Sequence, residues 1–476
     1  MKNKSPTIRR QSDFSTCLVL QKQHGGNPVR KLQNKIAKPC FTGAIGETVP
    51  RNRNEEKPKR RSGLFFHADN ERRTKKQNNR NMNSKKQNTQ NYLLITLGLL
   101  TAFAPFVTDL YLPALPSLAA YFKSPDALVQ MSLTMSMLGL ATGQLFIGPV
   151  SDRFGRRNVL LLTLALFILT TILCILSPSV HLFNLSRLFQ GMSASGGIVI
   201  ARSISADLYS GKELKRFLGM ISAVNGIAPV LAPVSGGFIM SVGTWKNIFA
   251  VLLAYGLLML LLAIGTRESL PPHRRSQNGI VGSFAAYAKL FRNKTYLLYL
   301  TVFMFSSMVL FAYIACSPFI LQSLYSLSPM QFSLCFALNA IGITAGCMLG
   351  THLSDRVSLL AGGISIFAST LICMASLLLQ TNVLVVEASF CICMFSFGLL
   401  QPVSNAKTLD AAGGNVGCGA AALGSCGFVM GAIVSPLVGL GNMALSSSLT
   451  LTIGGLLCLT ASLLCLKHEK MSAKKP

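Results

Sequence analysis

The chain reads as an all-α membrane protein of about twelve transmembrane helices, arranged as two six-helix halves with both termini on the cytoplasmic side. Three observations predict this. Apolar runs long enough to span a bilayer recur along most of the chain, a charged turn occurs twice, and basic residues crowd into alternate connections.

Half of the 476 residues are hydrophobic and only 13% are charged, whereas a soluble chain carries about 25% charged residues. The net charge of +28 is unevenly placed, because residues 1–90 hold 22 Lys/Arg against 6 Asp/Glu. That tail is polar and basic without a sustained apolar period, so disorder is expected there. Its functional readings are binding to anionic lipid or to nucleic acid, and no aromatic-interleaved basic motif supports the second. Its acidic residues and length argue against a transit peptide, and no cleavable signal peptide is visible. Met82, followed by a short polar lead from Asn83 to Asn91, is the candidate start of a chain from which residues 1–81 are absent.

The remainder divides into a first six-helix half at 91–266, a cytoplasmic central loop at 267–294, a second half at 295–466 and a cytoplasmic tail at 467–476. Only an intrahelical ladder satisfies the backbone in lipid, so each long apolar run is read as a helix. The runs lie near 92–113, 127–148, 158–177, 181–204, 215–239 and 246–266, then 295–316, 330–353, 357–379, 384–405, 415–440 and 445–466.

Orientation follows from the connections. Those after even-numbered spans carry Arg153, Arg156 and Arg157, then Lys212, Lys215 and Arg216, then Arg267, Arg274, Arg275, Arg292 and Lys294. Arg356, Lys407, Lys467 and Lys470 continue the series, while the odd-numbered spans are followed by little beyond Lys123 and Lys246. That bias puts both termini in the cytoplasm.

The repeated turn reads Gly148-Pro-Val-Ser-Asp152-Arg153-Phe-Gly155-Arg156-Arg157 and again, more worn, Gly350-Thr-His-Leu-Ser-Asp355-Arg356. Glycines allow a tight reversal between helices, and the arginines hold the turn at the anionic face. Asp152 can cap a helix or pair with a neighbouring arginine, making a clasp for one state of a rocking cycle. The plainer reading is a topology anchor.

Asp109 lies in the first span, within Thr108-Asp109-Leu-Tyr111-Leu-Pro113-Ala-Leu-Pro116. An ionised carboxylate in a membrane helix costs about 3 kcal/mol, so the group is suited to binding and releasing a proton as access changes. Alternatively it caps a helix end broken by Pro113 at the outer interface. Arg187, in Arg187-Leu-Phe-Gln190-Gly191, faces a polar cavity or a carboxylate, or else snorkels to the outer interface. The fifth span carries Ala228-Pro229-Val-Leu-Ala232-Pro233-Val-Ser-Gly236-Gly237, in which prolines bend the helix and glycines admit a close neighbour.

Few other polar groups are available to meet a solute. Tyr111, Gln144, Asn225, Phe311, Tyr313, Asn339, Gln401 and Asn405 are candidates to line a cavity, with helix–helix packing as the alternative role for each. Glu387 is expected at an interface, and Asp355 and Asp410 near cytoplasmic ends, which leaves coupling chemistry to the first half. Most of the 13 cysteines fall inside apolar runs, where they act as small packing residues. Cys391-Ile-Cys393 lacks the spacing of a metal or redox pair, so no metal and no cofactor is expected. No phosphate loop or nucleophile–base pair points to an ATP motor or an enzyme.

The turn at Gly148–Arg157 resembles the loop signature of the major facilitator superfamily, and its copy at Gly350 falls where that family repeats it. Arg187-x-x-Gln190-Gly191 is similar to the family's fourth-span signature, whose arginine is implicated in proton coupling. The fifth-span motif looks like that of the family's antiporters, with Ala232-Pro233 where Gly-Pro is usual. Together with Asp109-Leu-Tyr-Leu-Pro, Arg202…Ala206-Asp207-Leu-Tyr209 and Ser317-Pro318…Asn339-Ala, these features resemble the Bcr/CflA drug-resistance branch over about residues 92–466. The resemblance implies a proton-driven antiporter in the bacterial inner membrane, working as a monomer and exporting hydrophobic or cationic small molecules. In that reading Asp109 and Arg187 couple protons. Gly148, Asp152, Arg153, Gly155, Arg156, Arg157, Asp355 and Arg356 form the conformational gate, and Pro229, Pro233, Gly236 and Gly237 shape the antiporter helix. The partners implied are substrate, protons and lipid, without nucleic acid. The alternative is an exporter of one metabolite, such as an amino acid, peptide or organic acid, on the same fold.

Overall fold

The computed structural model describes residues 90–275, 279–413 and 416–472. The expectations for the N-terminal tail, Met82 and the cysteines within it lie outside these residues, as do the side chains of Lys212, Lys215, Arg216 and Asn225.

Among the described residues every regular element is helical. In chain order the long helices are α1 (Gln90–Phe122), α2 (Asp126–Phe154), α3 (Arg156–Leu176), α4 (Val180–Leu208), α5 (Gly211–Val242) and α6 (Trp245–Ile264). A shorter α7 (Gly279–Phe291) precedes α8 (Lys294–Phe319), α9 (Pro329–His352), α10 (Asp355–Leu378), α11 (Val383–Ala411), α12 (Val416–Val438) and α13 (Met443–Ser472). Eleven of the described helices are long and apolar enough to cross a membrane.

The exception among the long helices is α4, which runs 29 residues but is interrupted by Arg187, Gln190, Ser193, Ser195, Arg202 and Asp207. Its polar side is turned inward, with Arg187, Gln190 and Ser195 all buried against neighbouring helices. Burial in the bundle thus substitutes for the hydropathy that a lipid-facing helix needs. By contrast α3 exposes Leu162, Leu166, Leu169, Leu173 and Leu176 as one apolar stripe, a face that hydrocarbon rather than water would cover.

Two local irregularities matter for the site. Pro113 and Pro116 cannot donate backbone hydrogen bonds, and α1 changes to a tight turn at Leu112–Ala114, immediately after Asp109. A 2.9 Å bond from Ala114 N to the Tyr111 carbonyl closes that turn. At the other end of the bundle, the connection expected as a loop contains α7, which touches α2, α8 and α12. Its Tyr287 and Leu290 are buried with Tyr296, Leu300, Ala422 and Leu423. Those apolar contacts explain why a helix forms in an otherwise basic connection.

Within the first six helices α4 packs on α1, α2 and α3, while α3 packs on α6 and α1 on α5. In the later set α8 meets α11, α12 and α13, and α10 lies between α11 and α13. The two sets touch along α2–α12 and α5–α9. Close approach depends on glycine at the α2–α4 crossing, where a Cβ on Gly143 would lie 2.0 Å from Ser195 Oγ. A Cβ on Gly191 would fall 2.1 Å from the Ser136 carbonyl. Any larger residue there would separate the helices.

Candidate functional site

Arg187 is completely buried on α4. Its Nη2 donates to the Val107 carbonyl of α1 at 2.7 Å, and its Nη1 donates to Gln190 Oε1 one turn along α4. Gln190 in turn donates to Thr171 Oγ1 on α3 at 2.7 Å. The guanidinium lies 4.2 Å from the centroid of the Tyr111 ring and 5.7 Å from that of Phe249 on α6. Tyr111 shares a 3.2 Å hydrogen bond with Ser132 of α2. One cation therefore joins α1, α3, α4 and α6, and through Tyr111 it reaches α2.

Asp109 sits between Val107 and Tyr111 in sequence and is only 6% exposed. Its Oδ1 accepts from the Thr108 hydroxyl at 2.7 Å. Among the described residues it makes no salt bridge, and Arg187 bonds to the chain on either side of it instead. A carboxylate without a cationic partner in a packed helix bundle can be stabilised by taking up a proton.

The fifth-span glycines explain how α5 reaches this region. A Cβ on Gly236 would lie 2.0 Å from the Leu110 carbonyl, beside Asp109. One on Gly237 would lie 2.3 Å from Ser333 Oγ, on α9. The pair thus fits α5 between the break in α1 and the second helix set. Both Pro229 and Pro233 are inside α5, which stays helical through them.

The turn at Gly148–Arg157 is organised by Arg156. This side chain binds Asp152 at 2.5 Å, Asp207 at the end of α4 at 3.1 Å, and Ser151 Oγ at 2.6 Å. Gly155 has a φ of +96°, and the first N–H groups of α3, those of Arg156 and Arg157, donate to the two carboxylate oxygens of Glu268 at 3.0 and 3.2 Å. Arg157 also donates to the carbonyls of Ile264, the last residue of α6, and of Thr266 just beyond it. Glu268 is therefore an anionic cap on the start of α3. Arg153 lies outside this cluster, 5.5 Å from the Phe154 ring centroid, and Gly148 has only Val199 near its Cβ position.

The second copy is organised differently. Asp355 pairs with Lys407 of α11 at 2.7 Å, and Arg356 with Glu469 of α13 at 3.7 Å. Glu469 also accepts from Tyr299 at 2.5 Å. Asp207, Glu268, Glu469 and Tyr299 had no signal in the turn motif itself, since each comes from another helix or connection.

The remaining cavity candidates separate. Gln144 of α2 lies against Gly424 of α12, and Phe311 packs on Phe428 at 5.7 Å. Gln401 accepts from Asn405 at 2.9 Å. The Asn225 side chain is outside the described residues. Asn339 donates to both Tyr313 and Glu387, each at 2.8 Å. Glu387, expected at an interface, is instead inside the bundle at 8% exposure. It starts the second turn of α11 on the side facing α8 and α9, where Asn339 supplies the hydrogen bond that burial demands.

A protein-family model described as Major Facilitator Superfamily matches residues 97–467. The chain is 33% identical over 355 residues to the "Uncharacterized MFS-type transporter YdgK" of Bacillus subtilis (strain 168), covering 73% of this chain and 88% of that one. It is 27% identical over 379 residues to the "Bicyclomycin resistance protein homolog" of Haemophilus influenzae, with 78% and 94% covered. Among solved structures it is similar to a D-xylose-proton symporter at a TM-score of 0.64 and 16% identity, over 80% of this chain and 97% of that chain. That last likeness concerns the fold alone. With its family model spanning most of the chain and its helices packed in the same architecture, this protein belongs to the major facilitator superfamily and is a multi-pass membrane transporter, not an enzyme.

Proposed function

We propose that this chain is a proton-driven antiporter of the bacterial inner membrane, of the Bcr/CflA drug-resistance type. It exports hydrophobic or cationic small molecules by alternating access. Twelve spans, with α4 as the least apolar, form two six-helix halves at 91–266 and 295–466 around a cytoplasmic connection at 267–294. Both termini are cytoplasmic, and the protein works as a monomer. The bicyclomycin-resistance name of one relative supports drug export.

The observation that carries the coupling reading is Asp109: a buried carboxylate bonded to Thr108, beside the break in α1 and without a salt bridge among the described residues. In the cycle Asp109 takes a proton from outside and releases it inside, while the exported compound competes for the same cavity. Arg187 holds α1, and the Arg156 cluster closes the inner face until the halves rock apart. Each proton entering down a potential of 100 mV contributes about 2.3 kcal/mol.

The test is proton release from purified full-length protein in detergent on adding tetraphenylphosphonium, beside an Asp109→Asn variant. Release by the wild type and not by the variant is expected. Equal release from both places the exchanged proton elsewhere. Silence from both, with folded protein confirmed, counts against a lipophilic-cation exporter.

A further inference from the structure

The second helix set contains a buried acidic group that the mechanism above does not use. Glu387 (α11), Asn339 (α9) and Tyr313 (α8) meet as one hydrogen-bonded cluster, with the Asn339 amide nitrogen donating to Glu387 Oε1 and to the Tyr313 hydroxyl. Asn339 is fully buried. Glu387 Oε2 and Asn339 Oδ1 are both buried without a hydrogen-bond partner. Phe336 stacks on the Tyr313 ring at 5.5 Å, and Phe390 meets its edge at 5.1 Å, so aromatic rings wall the cluster.

Among the described residues no cation is placed to neutralise this carboxylate. The charged or basic residues of the surrounding helices, Lys294, His352, Asp355, Arg356, Lys407 and Asp410, lie at the opposite helix ends. Lys407 is 20 residues along α11 from Glu387, about 30 Å of helix, and is already paired with Asp355. The titratable groups that face Glu387 are Tyr313 on α8, Cys335 on α9 and Cys391 on α11, all neutral in their protonated forms. On α10, Ser376 contacts Ser389, which lies two residues beyond Glu387 on α11. Two orphaned acceptors, one on the carboxylate and one on the amide bonded to it, are the pattern expected where a hydrogen is needed.

The duplication sharpens the point. The offset of 203 residues between Asp152 and Asp355 also maps Gly143 onto Gly346 and Ser195 onto Gly398. The packing agrees, because the Cβ position of Gly143 meets Ser195 and that of Gly346 meets Gly398. Under the same offset Asn184 maps onto Glu387 and Arg187 onto Phe390. The first set therefore has a cation and a neutral amide where the second has an aromatic ring and an acid.

We propose that Glu387 is a second proton-binding carboxylate of this transporter, held in its charged and neutral forms by the Asn339 amide. When ionised, Glu387 accepts from the amide nitrogen. When neutral, the new O–H donates to the amide oxygen after a flip of that side chain, and Tyr313 donates to the same oxygen. The proton comes from water on one side of the membrane and returns to water on the other. Which way an amide points is set by such partners, so Asn339 acts as a positioning residue for the proton. The proposal rests on the reading of this chain as proton-coupled, but its test does not require transport.

The test is pH-difference infrared spectroscopy of full-length protein in phosphatidylethanolamine–phosphatidylglycerol nanodiscs. In an Asp109→Asn background, a neutral-carboxyl band that disappears on alkalinisation is expected to remain. Adding Glu387→Gln, which keeps the acceptor for Asn339, should remove it. Asn339→Leu should retain the band and move it to higher frequency, because the carboxyl loses its amide partner. A band unchanged by Glu387→Gln, or no such band in the Asp109→Asn background, overturns the proposal. If tetraphenylphosphonium fails to release protons while the Glu387 band behaves as expected, the substrate reading fails and this one stands.

Discussion

The Arg187 guanidinium stacks on Tyr111 at 4.2 Å while donating to the Val107 carbonyl, so a single cation grips α1 on both sides of Asp109. The grip depends on a planar group with several donors, which lysine cannot replace.

Arg187→Lys should therefore destabilise the protein by about 1–3 kcal/mol, because the buried Val107 carbonyl or Gln190 loses its donor. Tyr111→Leu should cost about 1–2 kcal/mol through the lost cation–π contact. Tyr111→Phe keeps the ring face and forfeits only the 3.2 Å bond to Ser132, so its effect should be the smallest. Thermal unfolding in detergent gives the ranking, and a Phe variant as damaging as Leu would rule out the stacking contribution.

In the two repeated turns, Arg156 is almost fully buried and its partner Asp207 partly so, whereas the Arg356 side chain is 62% exposed. A double-mutant cycle on Arg156→Gln and Asp207→Asn should return a coupling of about 1–2 kcal/mol. The cycle on Arg356→Gln and Glu469→Gln should return less than about 0.5 kcal/mol and vanish in high salt. A stronger Arg356 coupling would contradict the difference in burial.

Gly155 combines a φ of +96° with a Cβ position 2.6 Å from Glu268 Oε2. Gly155→Ala should therefore lower stability by about 1–3 kcal/mol. Gly219 is helical with nothing among the described residues within 4 Å of its Cβ position, and Gly219→Ala should raise stability by about 0.5–1 kcal/mol. Parallel melting curves of the two variants check the contrast in sign.

On the connecting helix α7, burial first, and then Cys418 and Asp152, push the Tyr287 phenol from its ordinary 10 up to about 12. The folded state keeps this proton where the unfolded state has lost it. Its contribution is full below pH 10 and is lost as the pH rises toward 12. The melting temperature should fall more steeply over that window in the wild type than in Tyr287→Phe, and identical slopes would show that Tyr287 ionises as in water.

Membrane-spanning character was legible along the chain because bilayer thickness imposes long uninterrupted apolar helices, and a sequence displays those directly. The family was legible for a related reason. The turn at Gly148–Arg157 and the run Arg187–Gly191 are contiguous, so their spacing survives in one dimension. The sequence also reads a span over 181–204, where α4 forms a 29-residue helix, although α4 is not among the eleven described helices long and apolar enough to cross a membrane.

Partnerships were another matter. Nothing near Arg156 in sequence announces Asp207 or Glu268, which lie 51 and 112 residues away. Glu387 has an interfacial sequence context as the fifth residue of apolar α11, yet packing of α8 and α9 against it turns it into a buried acid. Helical class, repeat and family thus follow from local composition and spacing. Which charges meet, and which carboxylates are left without a cation, is decided by helix rotation and close packing, where a shift of one residue turns a side chain by about 100° from bundle to lipid.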